Sequence, residues 1–198
     1  MKFAKICKYT VIAILLIFIA FLAVRIFMSS DRGTLDDIYP TNAAVSGYEK
    51  SGKDAFMTAK LPHDMSEDGY FIAYAPVYCK SEKEFQITVR YNDSLSENYL
   101  PGSDPEKYYF ELRDSDGNTV SKATVVDEKE LYFYNHFRLA FDGVEIDSES
   151  ELYIFLCSDE SSYPAEHTKG IMIAHPSITY KTASISRSEK NSLSEKAE

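Results

Sequence analysis

The stretch "EFQITVRY", Glu84–Tyr91, decides the fold class. Phe85, Ile87, Val89 and Tyr91 alternate with Gln86, Thr88 and Arg90, which is the period-two pattern of a strand with one apolar and one polar face. The segments on either side repeat it. Upstream, "YFIAYAPVY" (Tyr70–Tyr78) is dense in apolar residues, and Pro76 marks an edge or bulge because it cannot donate to a ladder. Downstream, "YYFELRDSDGNTVSKATVV" (Tyr108–Val126) reads as a hairpin turned at Asp116-Gly117.

"ELYFYNHFRLAF" (Glu130–Phe141) supplies one long bulged strand or two short ones. "ELYIFLC" (Glu151–Cys157), "GIMIAH" (Gly170–His175) and "SITYKTASI" (Ser177–Ile185) complete the series. Pro101, Gly102, Pro105 and Asp142-Gly143 separate the runs. Roughly seven to nine short strands with no amphipathic helix predict an all-β fold. The expected form is a two-sheet antiparallel β-sandwich, immunoglobulin-like in broad architecture. A small closed barrel has the same period.

Ahead of this domain lies a different kind of sequence. Tyr9–Val24 carries no charge, and extending it to Met28 gives twenty residues, roughly 30 Å as a helix. Lys2, Lys5 and Lys8 precede it, Asp31, Asp36 and Asp37 follow it, and Arg25 lies near its outer end. This pattern predicts an uncleaved single-pass transmembrane helix preceding the β domain, in contact with the lipid bilayer through residues 9–28. The N-terminus would be cytoplasmic and the rest of the chain outside the cell membrane. The lysine-rich N-terminus points to a prokaryotic setting. The expected organisation is a basic N-terminus (1–8), the span (9–28), and a stalk (29–66) in which Ala55–Leu61 is a first edge strand. The extracytoplasmic domain (67–185) and a disordered tail (186–198) follow.

The chain has a net charge of −10. Without Lys2, Lys5, Lys8 and Arg25, the remaining 17 basic and 31 acidic residues give −14. That balance opposes nucleic acid and anionic polymers as partners. The absence of Trp beside fifteen Tyr and twelve Phe fits strands that bury a ring and keep a hydroxyl at a wet edge.

Candidate chemistry is sparse. Asp114, Asp116 and Asn118 in "DSDGN", with Asp159 and Glu160 in "CSDESS", offer oxygen ligands for a weak extracellular Ca²⁺ site. A hairpin turn is the simpler account of the first group, since Gly117 is fourth from Asp114 rather than sixth. No other cofactor is implied. Cys79 and Cys157 each end a strong strand and form a candidate disulfide in an oxidising compartment, with two buried thiols as the alternative. His63, His136, His167 and His175 have no metal-binding spacing and read as surface histidines.

Cys157, after "LYIFL", stands where the nucleophile stands in membrane-anchored cysteine transpeptidases of the sortase type, which the chain resembles in architecture and in that one residue. The Thr-Leu-x-Thr of that family is Tyr-Ile-Phe-Leu here, and no Arg follows within residues 158–169. The leading expectation is therefore a membrane-anchored interaction or accessory domain, not an enzyme, whose partner is another membrane or surface protein. A cation- or small-ligand-binding sensor is the second reading, and a cysteine-dependent cell-surface enzyme the third.

Overall fold

The computed structural model describes residues 2–28, 35, 37–66, 69, 71–92, 108–131, 134–158 and 170–197. The chain divides into two compact units, Met1–Thr34 and Leu35–Glu198.

The first unit is one helix, α1 (Lys2–Met28). Between Tyr9 and Val24 its side chains are exposed all round, with no polar face. Among the described residues no helix is long and apolar enough to cross a membrane. That finding overturns the expected transmembrane helix. It also removes the support for bilayer contact through residues 9–28, for the single-pass cell-membrane location, and for the topology drawn from Lys2, Lys5, Lys8 and Arg25.

The second unit holds ten strands among its described residues: β1 (Phe56–Thr58), β2 (Phe71–Cys79), β3 (Glu84–Asn92), β4 (Tyr108–Asp114), β5 (Thr119–Lys122), β6 (Thr124–Leu131), β7 (Tyr134–Phe141), β8 (Leu152–Ser158), β9 (Ile171–Ala174) and β10 (Lys181–Thr182). They form two antiparallel sheets, six-stranded in the order β10-β1-β2-β3-β7-β6 and four-stranded in the order β5-β4-β8-β9. Alternation places Phe85, Ile87 and Val89 of β3 and Leu139 and Phe141 of β7 on one inner face. Phe110 and Leu112 of β4 and Ile154 and Leu156 of β8 meet them from the other sheet. Phe71 and Phe110 touch across the layers edge to face, with ring centroids 5.3 Å apart. The chain changes sheet at Ala123, between β5 and β6, where the Ala123 N–H donates to Phe110 O at 2.8 Å.

The unit is mixed α and β, which corrects the all-β expectation. Helices α2 (Asn42–Ser51) and α3 (Arg187–Ala197) pack together with a 3₁₀ turn (Gly52–Ala55) and the end of β2. Ile38, Ala44, Val45, Phe56 and Leu193 form a second apolar cluster there, on the outward side of the six-stranded sheet. From Leu35 onward the expected stalk is therefore part of the folded unit, and residues 29–34 lie outside the described set. β1 is not an edge, because it pairs with β10 on one side and β2 on the other.

The expected disordered tail is α3. Ser186 and Glu189 close its first turn reciprocally: the Glu189 N–H donates to Ser186 Oγ (3.2 Å) and the Ser186 N–H to Glu189 Oε2 (2.7 Å). Thr41 caps α2 by accepting from the Ala44 N–H at 3.0 Å. Gly47 is required where α2 meets β2, since a Cβ there would lie 2.4 Å from Cys79 Sγ.

The polar face of "EFQITVRY" is buried as deeply as the apolar one. Glu84, Gln86 and Thr88 are buried, as are His136 and Arg138 beside them on β7. Arg138 has no solvent access at all. Its guanidinium donates to Ala75 O (2.7 Å), Thr88 Oγ1 (3.0 Å), Gln86 Oε1 (3.4 Å) and the Asp37 carbonyl. The Gln86 amide pairs with the Tyr39 backbone, accepting from its N–H and donating to its carbonyl, both at 2.9 Å. Glu189 Oε1 accepts from the Ile38 N–H at 2.9 Å. Residues 37–41 are thus strapped across the sheet by their main chain.

Ala75, at φ 49°, sits in the left-handed region directly before Pro76, where the β2–β3 register shifts. Arg138 holds the carbonyl of that bulge. Replacing Arg138 with Met leaves these acceptors without their donor and is expected to lower unfolding free energy by about 3–5 kcal/mol, read as a lower urea midpoint.

His136, expected at the surface, is buried with Nδ1 2.7 Å from Tyr74 Oη. Burial, with Arg90 and Lys129 nearby, pushes its pKa down to about 4. Above pH 6.5 both folded and unfolded chains hold it neutral. As pH falls from 6.5 toward 4 the unfolded chain takes a proton that the folded one refuses, so stability drops by on the order of 3 kcal/mol in total. Urea midpoints across that range should show the fall, and a His136→Gln variant should flatten it.

A candidate binding cleft on the four-stranded sheet

The outward face of the four-stranded sheet is arranged differently. Tyr153 and Phe155 alternate with the core residues Leu152, Ile154 and Leu156 of β8, so their rings point away from the core and stay half-buried. They line a cleft of about 940 Å³. Its other surfaces come from Pro62–Met65, from the β4–β5 turn at Asp114–Gly117, and from Gly170–Met172 at the start of β9.

Each surface is held by local bonds. Met65 bridges Ile72 across the sheet edge, and the Ala73 N–H donates to Asp64 O at 2.7 Å. Ser66 closes the turn that follows, donating its N–H to Phe71 O (2.9 Å) and accepting the Phe71 N–H on Oγ (3.1 Å). Met65 is left 53% exposed at the mouth. Gly170 lets the chain lie flat against β8: a Cβ there would meet Ile154 O at 2.7 Å and the Phe155 ring at 2.8 Å.

Among the described residues the charged groups lining the cleft are Asp64, Asp114 and Glu151, with His63 beside them and no Lys or Arg. Asp114 accepts from the Asn118 amide (3.0 Å) and from the N–H groups of Asn118 (2.8 Å) and Asp116 (3.0 Å). These bonds, the Asn118 side chain first, hold its carboxyl below the usual carboxylate range. "DSDGN" is therefore a closed hairpin turn with Gly117 at φ 83°. The Asp114 oxygens expected for Ca²⁺ are engaged by donors, and Asp116 and Asn118 stand exposed on the turn. Asp159, Glu160 and His167 lie outside the described residues, among which no three His, Cys, Asp or Glu gather as a metal site.

Cys79 and Cys157 are both free and buried. The bridge considered for them does not form, because Cys79 belongs to the outward cluster of the six-stranded sheet and Cys157 to the outward row of the four-stranded one. Cys157 Sγ accepts from Arg113 Nη2 at 3.3 Å and donates to Glu111 Oε2 at 3.8 Å. Burial pushes the thiol up to about 11 despite Arg113, so it stays protonated and unreactive at neutral pH.

Glu111 is buried beside it, held by Thr119 Oγ1 (2.9 Å), Arg113 Nε (3.0 Å) and Lys122 Nζ (3.4 Å). Burial raises this carboxyl, but the Thr119 and Arg113 bonds outweigh it and leave it below its ordinary range. None of Arg113, Glu111, Tyr153, Phe155, Met65 or Glu151 stood out in the sequence. The available signal was the alternation in Leu152–Cys157, which puts Tyr153, Phe155 and Cys157 on one face.

Two outcomes follow. Gly170→Ala should cost about 1–3 kcal/mol and displace the Phe155 ring, seen as a lower thermal midpoint with altered aromatic NMR shifts. Cys157 should stay unmodified by a thiol reagent at pH 7 in the folded protein and become labelled in urea, as followed by peptide mass mapping. No family model, no curated protein and no solved structure matches this chain.

Proposed function

We propose that the 35–198 unit is a binding module, not a catalyst, and that its cleft captures a short polypeptide segment combining basic and apolar side chains. The acid-rimmed apolar cleft carries this reading. Its volume of about 940 Å³ lies at the upper end of ligand sites, and it is walled on two sides by elements pinned to the sheets. Tyr153, Phe155, Met65 and Met172 offer rings and pliable thioethers to aliphatic or aromatic side chains. Asp64, Asp114 and Glu151 select for positive charge and against negative charge. The protonated, buried state of Cys157 argues against nucleophilic chemistry beside the cleft.

The test uses the full chain and two dye-labelled octapeptides, one alternating leucine with lysine and the other leucine with glutamate, followed by fluorescence anisotropy. The lysine peptide should bind and weaken as salt rises, and the glutamate peptide should not bind. The double substitution Asp64→Asn, Glu151→Gln should weaken binding by roughly 5–10-fold, and Tyr153→Ala by more. Equal binding of both peptides, or lysine-peptide binding untouched by these substitutions, rules the cleft out.

A further inference from the structure

Arg113 lies beside this cleft, behind one of its lining rings, and its guanidinium is held in place. Its guanidinium lies over the Phe155 ring, 5.3 Å from the centroid, and Phe155 lines the cleft. Glu111 Oε2 accepts from Nε at 3.0 Å and lies in ion-pair contact with Nη2 at 3.0 Å, while Nη2 donates to Cys157 Sγ at 3.3 Å. These contacts engage Nε and Nη2 and fix the guanidinium plane, while the Arg113 side chain stays 30% exposed. Glu111 is at once the partner of Lys122 (3.4 Å), whose ammonium lies 4.5 Å from the Tyr109 ring centroid. One carboxylate thus answers two cations, and the row carries a net positive charge beside the acidic rim of Asp64, Asp114 and Glu151.

A planar, stacked and part-exposed guanidinium matches a carboxylate. We infer that Arg113 is a specificity-determining residue that receives the terminal carboxylate of the bound segment, so that the cleft takes the C-terminal end of a polypeptide whose basic side chains meet Asp64 and Glu151. The inference rests on the reading of the cleft as a peptide site. Glu111, Thr119 and Cys157 act as positioning residues that hold the fork without touching the ligand. An internal stretch of a partner lacks the carboxylate and leaves the Arg113 guanidinium to water, so termini are preferred over loops.

The experiment compares two forms of one dye-labelled octapeptide of alternating leucine and lysine, labelled at the N-terminus and ending in a free acid or an amide. On the wild-type full chain the acid should bind about 10-fold more tightly than the amide. In Arg113→Met that preference should vanish, the acid and amide binding alike, and in Arg113→Lys it should be mostly lost because the fork is gone. Equal binding of acid and amide by wild type overturns the assignment to Arg113 and leaves the cleft reading standing. A preference that survives in Arg113→Met overturns it as well. Failure of both peptides to bind removes the cleft reading and this inference together. The wild-type comparison needs no variant, so misfolding of Arg113→Met cannot hide the answer.

Discussion

A guanidinium with no access to water must be satisfied by the chain around it, and Arg138 determines where that chain runs. Leaving such a charge short of partners costs several kcal/mol, so its neighbours are fixed as a set. Thr88, directly opposite on β3, supplies a hydroxyl; the bulge at Ala75 turns a carbonyl inward; and the strap supplies the carbonyl of Asp37. Gln86 then holds Tyr39 by both backbone groups, and Glu189 holds Ile38 from α3. Burial pulls the Arg138 pKa down to about 10, so the group remains charged at neutral pH and the constraint is always present.

This network also explains which parts of the sequence could be read. Alternation in Glu84–Tyr91 located β3 and its inner face, and similar patterns located β7 and β8, because burial against a second sheet imposes period two. The two antiparallel sheets follow from that pattern. What alternation cannot reveal is that a polar face is also covered. Gln86, Thr88 and Arg138 look like solvent-facing residues, and their burial depends on partners 47 to 101 positions away in the chain. The same blindness made Asp37–Thr41 look like a stalk. That segment has little apolar content because it is held through its main chain, with Ile38 as its buried anchor.

The C-terminal helix is a different case, since its signal was present. Ser186-Arg187-Ser188-Glu189 is a capping box, and Leu193 is the apolar residue that α3 buries. Low overall hydropathy masked both. At the N-terminus the mismatch runs the other way: an unbroken apolar run reads as a span, yet among the described residues no helix is long and apolar enough to cross a membrane. Composition is a coarse measure of burial in both directions. One glutamate that accepts two N–H groups can fix a helix that few apolar residues would hold.

The two outward sheet faces show why function is sought on one of them. On the six-stranded sheet the strap, α2 and α3 cover a polar layer in which no buried side-chain donor or acceptor among the described residues lacks a partner. A ligand could enter there only by displacing main-chain bonds already made. On the four-stranded sheet Tyr153 and Phe155 stay half-buried beside Met65 and carboxylates, and Arg113 is braced by Glu111 while remaining part-exposed. Rigidity is supplied by the covered face and by the shared core, and accessibility by the open one. A binding surface needs both, because side chains that are already oriented lose little entropy when a partner arrives. The buried network around Arg138 therefore serves the site from the opposite side of the molecule, by fixing the sheet against which β4 and β8 are packed.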